Sequence, residues 1–385
     1  MKPFLSLLAT ASIVGAGTLL GPVPASAQQT IKIGVPTSVQ LQVGRDTQNA
    51  IKMAIEDINS KGGLVGRKLE MVAADETENP EQGIAAIKKL TADEKVDVLI
   101  GGYTSGVTLA QLPHIANAKT IYLGVGAASP AITAKVKADY ENYKYIFRVS
   151  PIHAGHQARA LVDFINGKLK GEMGLKKGAV EGGTEVPMAE FFDTSTSDFS
   201  PLFAKVKASG AQYLIVILSH ASSDIFVKQW HDAQVPIPIG GIDVKSQDAD
   251  FFTRVSGKAL SETVGLFATR APLTPKTIPF WDEFVKRFGT APVYTGVGAY
   301  DAIYVYAEAV KRANSVEPSA VIKELEKTDY VGIAGKIQFD EVHDVKQGPG
   351  LQNLLFAQWQ KDGQRIVVWP KASETGKMIP PPWMN

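Results

Sequence analysis

The sequence predicts an α/β protein built as two lobes, each a parallel sheet wound on both faces by helices. Three observations carry this. Strand-length apolar runs alternate with helical patterns from residue 31 onward. A second series of the same kind starts after Arg148-Val149-Ser150-Pro151. The last sixty or so residues then turn β-rich, with glycine turns between short apolar runs. Repeated β-α units are the signature of a doubly wound sheet.

Residues 31–35 form the first strand candidate. A helix is expected over 46–59, where Ala50, Met53, Ala54 and Ile58 recur at helical spacing. Lys61-Gly62-Gly63 ends it with glycine. The pattern then gives a strand at 69–74, a helix at 80–94, a strand at 96–100, a helix at 108–118 and a strand at 120–125. In the second series, residues 153–168 and 199–208 read as helices, 213–218 as a strand, 222–233 as a helix and 237–240 as a strand. Further helices are expected at 280–288, 300–312 and 318–327, and late strands at 336–339, 354–360 and 365–369. No low-complexity linker separates the two series, so several short crossings are expected in place of one tether.

Composition narrows the function classes. The chain opens Met1-Lys2, runs uncharged to residue 20, and reaches Ala25-Ser26-Ala27. One early cation, an apolar stretch and small residues two apart predict a signal peptide over 1–27, cleaved after Ala27. No later stretch has the length and apolarity of a membrane span. There is no cysteine, which excludes disulfides, thiol chemistry and a lipid on a cleavage-site cysteine. With 45% hydrophobic residues over 385 positions, burial alone can hold the fold together. The 40 basic and 39 acidic residues form no basic stripe, so nucleic acid is not an expected partner. The expected place is a periplasm. Pro380-Pro381-Pro382-Trp383 reads as a terminal coil laid on a surface.

In open parallel sheets, ligands bind beyond the carboxyl ends of the strands. Three loops of the first lobe sit there: residues 37–44, which carry Gln42; Gly101-Gly102-Tyr103-Thr104-Ser105-Gly106; and Gly124-Val125-Gly126-Ala127-Ala128-Ser129-Pro130. Ser105 opens a helix, and the hydroxyl with nearby N–H groups suits a carboxylate or amide oxygen. Its plainer reading is an N-cap. Small residues at Gly126, Ala127 and Ala128 let a ligand approach the backbone, although Gly126 also reads as an ordinary turn. The matching second-lobe loops are Ser219-His220-Ala221-Ser222 and Gly240-Gly241-Ile242-Asp243. Asp243 suits an ammonium group; its plainer readings are an N-cap or a solvated acid.

Catalytic signals are missing from the sequence. It holds no G-x-S-x-G elbow, no Walker loop and no H-E-x-x-H. Gly124-x-Gly126 lacks the third glycine of a dinucleotide loop, so no cofactor is expected. His153 with His156, and His343-Asp344, have no further ligand at metal spacing.

Ala54-Ile55-Glu56-Asp57-Ile58-Asn59, Gly62-Gly63, Gly66-Arg67-Lys68-Leu69-Glu70 and Asp75 resemble the first lobe of the leucine/isoleucine/valine-binding protein family. The match to the family continues through Ile100-Gly101-Gly102, Ser105, Gly126 to Thr133, Phe147-Arg148, Asp198-Phe199-Ser200-Pro201 and Ala299-Tyr300-Asp301-Ala302. The resemblance implies the type I periplasmic binding fold: two Rossmann-like lobes joined by three crossings and closing over ligand. It places 28–149 with 271–337 in lobe 1 and 150–270 with 338–385 in lobe 2. It implies a monomer that delivers its solute to the membrane permease of an ABC importer. Ser105 and the backbone of Gly126 and Ala128 match the positions that hold the ligand carboxylate. The acid that meets the ammonium falls at or beside Asp243.

Two departures bear on the ligand. Ala128 stands where the family usually has threonine or serine. After Val180 the chain runs straight into Glu181-Gly182-Gly183, so one β-α unit of the second lobe is expected to be missing, with apolar surface left uncovered. The expected solute is a branched-chain amino acid or a related small polar molecule. Amides, urea-like solutes or aromatic acids are the alternative, as is a sensor module that presents ligand to a receptor.

Overall fold

Strand β1 (Ile31–Thr37) is buried almost throughout, because it lies in the middle of a sheet covered on both faces. The computed structural model describes residues 30–176, 189–193, 195–218, 220, 222–348 and 350–384. The expected signal segment therefore lies outside the described residues. Helix α1 (Gln42–Ser60) follows, burying Ala50, Ile51, Ala54, Ile55 and Ile58 along one stripe. It starts four residues before the expected helix, and Asp46 lies buried inside it.

Next come β2 (Leu69–Asp75), α2 (Pro80–Lys88), β3 (Val98–Gly101), α3 (Ser105–Ala118) and β4 (Ile121–Gly124). Asn79 caps α2 by accepting from the Glu81 and Gln82 N–H groups, and Pro80 sits where its missing N–H costs nothing. Helix α4 (Pro130–Ala138), the short α5 (Tyr140–Tyr143) and β5 (Ile146–Arg148) complete the first sheet. Its order is β2-β1-β3-β4-β5, all parallel.

The second series runs α6 (Ala154–Phe164), which continues as π-helical turns to Glu172, then α7 (Ser200–Ser209), β6 (Leu214–Leu218), α8 (Ser222–Asp232), β7 (Ile239–Asp243), the short α9 (Phe251–Arg254) and β8 (Thr263–Leu266). The chain then returns to pack helices α10 (Thr277–Phe288), α11 (Tyr294–Ala313) and α12 (Pro318–Leu325) on the first sheet. A hairpin of β9 (Tyr330–Val331) and β10 (Lys336–Ile337) precedes the last passage to β11 (Leu355–Trp359) and β12 (Arg365–Trp369). The second sheet has order β12-β11-β8-β7-β6, with β6, β7 and β8 parallel and the last two strands antiparallel. The chain thus passes between sheets three times: after Arg148, after Leu266, and between Ile337 and Leu355.

The expected gap after Val180 falls on residues outside the described set. Among the described residues, β6 is the outermost strand on its side of the sheet. Ile217 on that strand is 74% exposed, an unusual place for isoleucine. Trp383 of the tail packs on Trp230 with ring centroids 4.9 Å apart and donates to the Val235 carbonyl, so the tail is a fixed cover.

Candidate functional site

The carboxyl ends of β1, β3 and β4 carry the three first-lobe loops, brought together by the parallel register. At Gly126 the loops after β3 and β4 approach each other closely enough to exclude a side chain. A Cβ there would collide with the Gly102 carbonyl, so only glycine lets the two loops touch. Ser105 is the first residue of α3, and Thr104, without a side-chain cap, precedes it. The Ser105 hydroxyl accepts the Ser129 N–H at 3.1 Å, so it ties the loops after β3 and β4 together and keeps its own proton for a further acceptor. Ser129 in turn caps α4 through Ala131 N–H.

Ala127 turns its methyl into the helix layer of the first lobe. Ala128 packs instead against a cluster that contains Val43 and Tyr294 along with second-lobe Ile152, Ile242 and Phe267. Its carbonyl accepts the Ala154 N–H at 2.8 Å, joining the loop to the first turn of α6. The Gly126 carbonyl accepts the Tyr294 hydroxyl at 3.4 Å. Among the described residues, no acceptor of the chain meets the N–H groups of Ala127 and Ala128. Tyr103 is half-buried against the same cluster, and its hydroxyl is pushed up to about 12 by burial and by Glu78 and Asp248. Gln42 heads α1 and donates to Asp46 at 3.3 Å and to the Ala291 carbonyl at 3.5 Å.

The second lobe is arranged differently from the expectation. Ser219 lies outside the described residues. His220 is exposed, and its carbonyl accepts the Ser223 N–H at 3.0 Å. Asp243 ends β7 with 0% exposure. One oxygen accepts the Ser223 hydroxyl at 2.5 Å; the other accepts the N–H groups of Lys245 at 3.0 Å and Ser246 at 3.1 Å. Burial lifts it to about 6, and it shares its surroundings with the buried Glu262. Its carboxyl thus shapes the turn after β7.

Sequence reading passed over Asp248, five residues further on. Its carboxylate pairs with Arg254 at 3.2 Å, and burial raises its proton affinity. Its charge is felt across the cleft by Asp46, Tyr103 and Tyr294. It lies in the polar run Lys245-Ser246-Gln247-Asp248, where no spacing marks it. His153 and His156 lie 4.5 Å apart at the start of α6, where His153 caps the helix by accepting the Gly155 N–H. Among the described residues, no group of three or more His, Asp or Glu side chains is placed to hold a metal ion.

These features define a two-lobed binding protein, with small-residue loops of one lobe set against an apolar and acidic wall of the other. The chain belongs to the periplasmic binding protein family, which it matches over residues 30–364. It is 27% identical to the Leu/Ile/Val-binding protein homolog 1 of Brucella suis, covering 94% of this chain and 96% of that one. Among solved structures it resembles the branched-chain amino acid transporter substrate-binding protein of Streptococcus pneumoniae in complex with isoleucine, with a TM-score of 0.75 and 20% identity over 89% of this chain and all of that one. It also resembles a solute-binding protein of an ABC transporter from Rhodopseudomonas palustris in complex with 3,4-dihydroxybenzoic acid, with a TM-score of 0.72 and 22% identity over 92% of this chain and 99% of that one. The family is one of solute-binding proteins, not enzymes.

Proposed function

We propose that the mature chain is exported through its signal peptide, works as a monomer in the periplasm, and captures one branched-chain amino acid for the permease of an ABC importer. The observation that carries this is the apolar cluster that runs from Val43 and Tyr103 of the first lobe to Ile152 and Phe267 of the second, flanked by polar groups at both ends. In this reading Ser105 and the N–H groups of Ala127 and Ala128 receive the carboxylate. The aliphatic side chain lies on the cluster. Asp248 receives the ammonium group in place of Asp243, and Gln42 closes the first-lobe rim. Residues 28–149 with 271–337 move as one lobe against 150–270 with 338–385.

A second reading, an aromatic acid, is favoured by one observation. Asp243 has no exposed surface and accepts three hydrogen bonds from Ser223, Lys245 and Ser246, so the expected ammonium partner is engaged within its own lobe. A thermal-shift screen of leucine, isoleucine, valine, amides, urea and benzoates separates the two. A shift with the aliphatic amino acids supports the first reading. A shift with benzoates alone moves the assignment to the second, and no shift with any of them removes both.

A further inference from the structure

Glu76 follows β2 directly and lies beneath the Gly101–Ser105 loop, with no exposed surface. One of its oxygens accepts from Gln111 Nε2 at 2.9 Å, and the backbone N–H of Tyr103 is directed at its carboxyl. Gln111 also donates to the Gly83 carbonyl at 3.1 Å, so its Nε2 serves two acceptors. Two buried oxygens then lack a partner among the described residues, Glu76 Oε1 and Gln111 Oε1. Thr108 and Gln111 are three apart on α3 and share a face.

A carboxylate here is poorly served. The charged and titratable groups facing it are Asp75 at the end of its own strand and Tyr122 on β4, neither of them a cation. Helix α2 offers Gly83, α3 offers Thr108 and Gln111, and the loop after β3 offers the Tyr103 amide. A buried charge without a counterion costs several kcal/mol and is relieved by taking up a proton. A proton on Glu76 removes that charge while its other oxygen still accepts the Gln111 amide.

We infer that Glu76 is a positioning residue for the ligand loop and holds it as a neutral carboxylic acid, receiving the Gln111 amide and the Tyr103 N–H without a buried charge. The proton is the working part of the contact. Burial raises Glu76 to about 7, against an unfolded value of 4.5. A raised acid favours the ordered loop fully at low pH and loses that contribution as pH rises through the folded value. The ligand loop is therefore firm at pH 5–6 and loosens above pH 7. This rests on the assignment of the loop to ligand binding for its effect on affinity, and not for its effect on the loop itself.

The test uses the full mature chain, with leucine as the probe, from pH 5.5 to 9. Glutamine is the informative substitution, because its amide reproduces the donor and acceptor of the neutral acid. Wild type should lose about tenfold in leucine affinity by one pH unit above the folded value. Glu76→Gln should hold its low-pH affinity across the range, and Glu76→Leu should be weak throughout. Amide hydrogen exchange at Tyr103, measured without ligand, should speed up with pH beyond the intrinsic rate in wild type and not in Glu76→Gln. A glutamine variant that binds weakly at pH 6, or wild-type protection at Tyr103 that is flat in pH, overturns the inference. Absence of leucine binding at every pH removes the functional reading and leaves the exchange measurement to decide this one.

Discussion

Arg148 and Asp344 meet at 2.6 Å with side-chain exposures of 2% and 3%, at the point where two of the three crossings lie together. The same guanidinium donates to the Ser129 carbonyl at 2.6 Å, and Thr133 donates to the same Asp344 oxygen at 3.0 Å. The pair therefore ties the first and third crossings to the loop after β4. Removing one partner leaves a buried charge without its counterion. Asp344→Ala should cost about 3–5 kcal/mol in urea unfolding. The double substitution Arg148→Met with Asp344→Leu should lie closer to wild type, because it removes both charges. A single variant within 1 kcal/mol of wild type would contradict this.

Gly126 should tolerate no side chain. Gly126→Ala forces the loops after β3 and β4 apart and should reduce ligand affinity by about tenfold or more, with a lower melting temperature. Gly106→Ala is the control. Nothing lies within 4 Å of its Cβ position, and alanine in a helix is favoured over glycine by about 0.5–1 kcal/mol. Thermal melts of the two variants should move in opposite directions.

Asp46 gives a pH dependence with a defined sign. Burial raises it from 3.8 to about 6, against the opposing hydrogen bond from Val293 N–H at 3.0 Å and the one from Gln42. The folded state holds this proton more tightly than the unfolded chain. Its contribution is full below pH 3.8 and is lost as pH rises through 6. Asp46→Asn keeps an acceptor for Val293 and removes the titration. The stability of the variant relative to wild type should climb by about 1–3 kcal/mol between pH 4 and 7. A constant difference over that range would contradict the assignment.

Ile217 projects from the outer strand of the second sheet with three quarters of its surface exposed. Ile217→Lys should leave unfolding free energy within about 0.5 kcal/mol of wild type. It should also raise the concentration at which the protein stays monodisperse, because a lysine on an edge strand discourages edge-to-edge pairing.

The first lobe was legible because its elements are long and punctuated. Ala50, Ile51, Ala54, Ile55 and Ile58 recur at helical spacing, and Gly62-Gly63 closes the helix. The misses are short. Strand β5 has three residues and β8 four, too few to show a period, and α4 announces itself only through its Ser129-Pro130 cap. Helices α1, α3 and α11 begin three to six residues before their expected starts, because polar residues in their first turns hide the stripe. At the site, small residues after strands exposed the loops of Ser105 and Gly126. The second lobe was not readable in the same way. Burial, which no spacing encodes, turned Asp243 into a brace for its own turn and set Asp248 beside Arg254, within electrostatic reach of Asp46, Tyr103 and Tyr294.

Isothermal titration of the ligand-stripped mature chain with leucine, with the ligand recovered and identified afterwards, tests the central claim most directly. The account predicts one site per chain, micromolar or tighter affinity, weakening of about tenfold or more in Ser105→Ala, and leucine returned unchanged. No heat with leucine, isoleucine or valine, or recovery of a converted product, would contradict it.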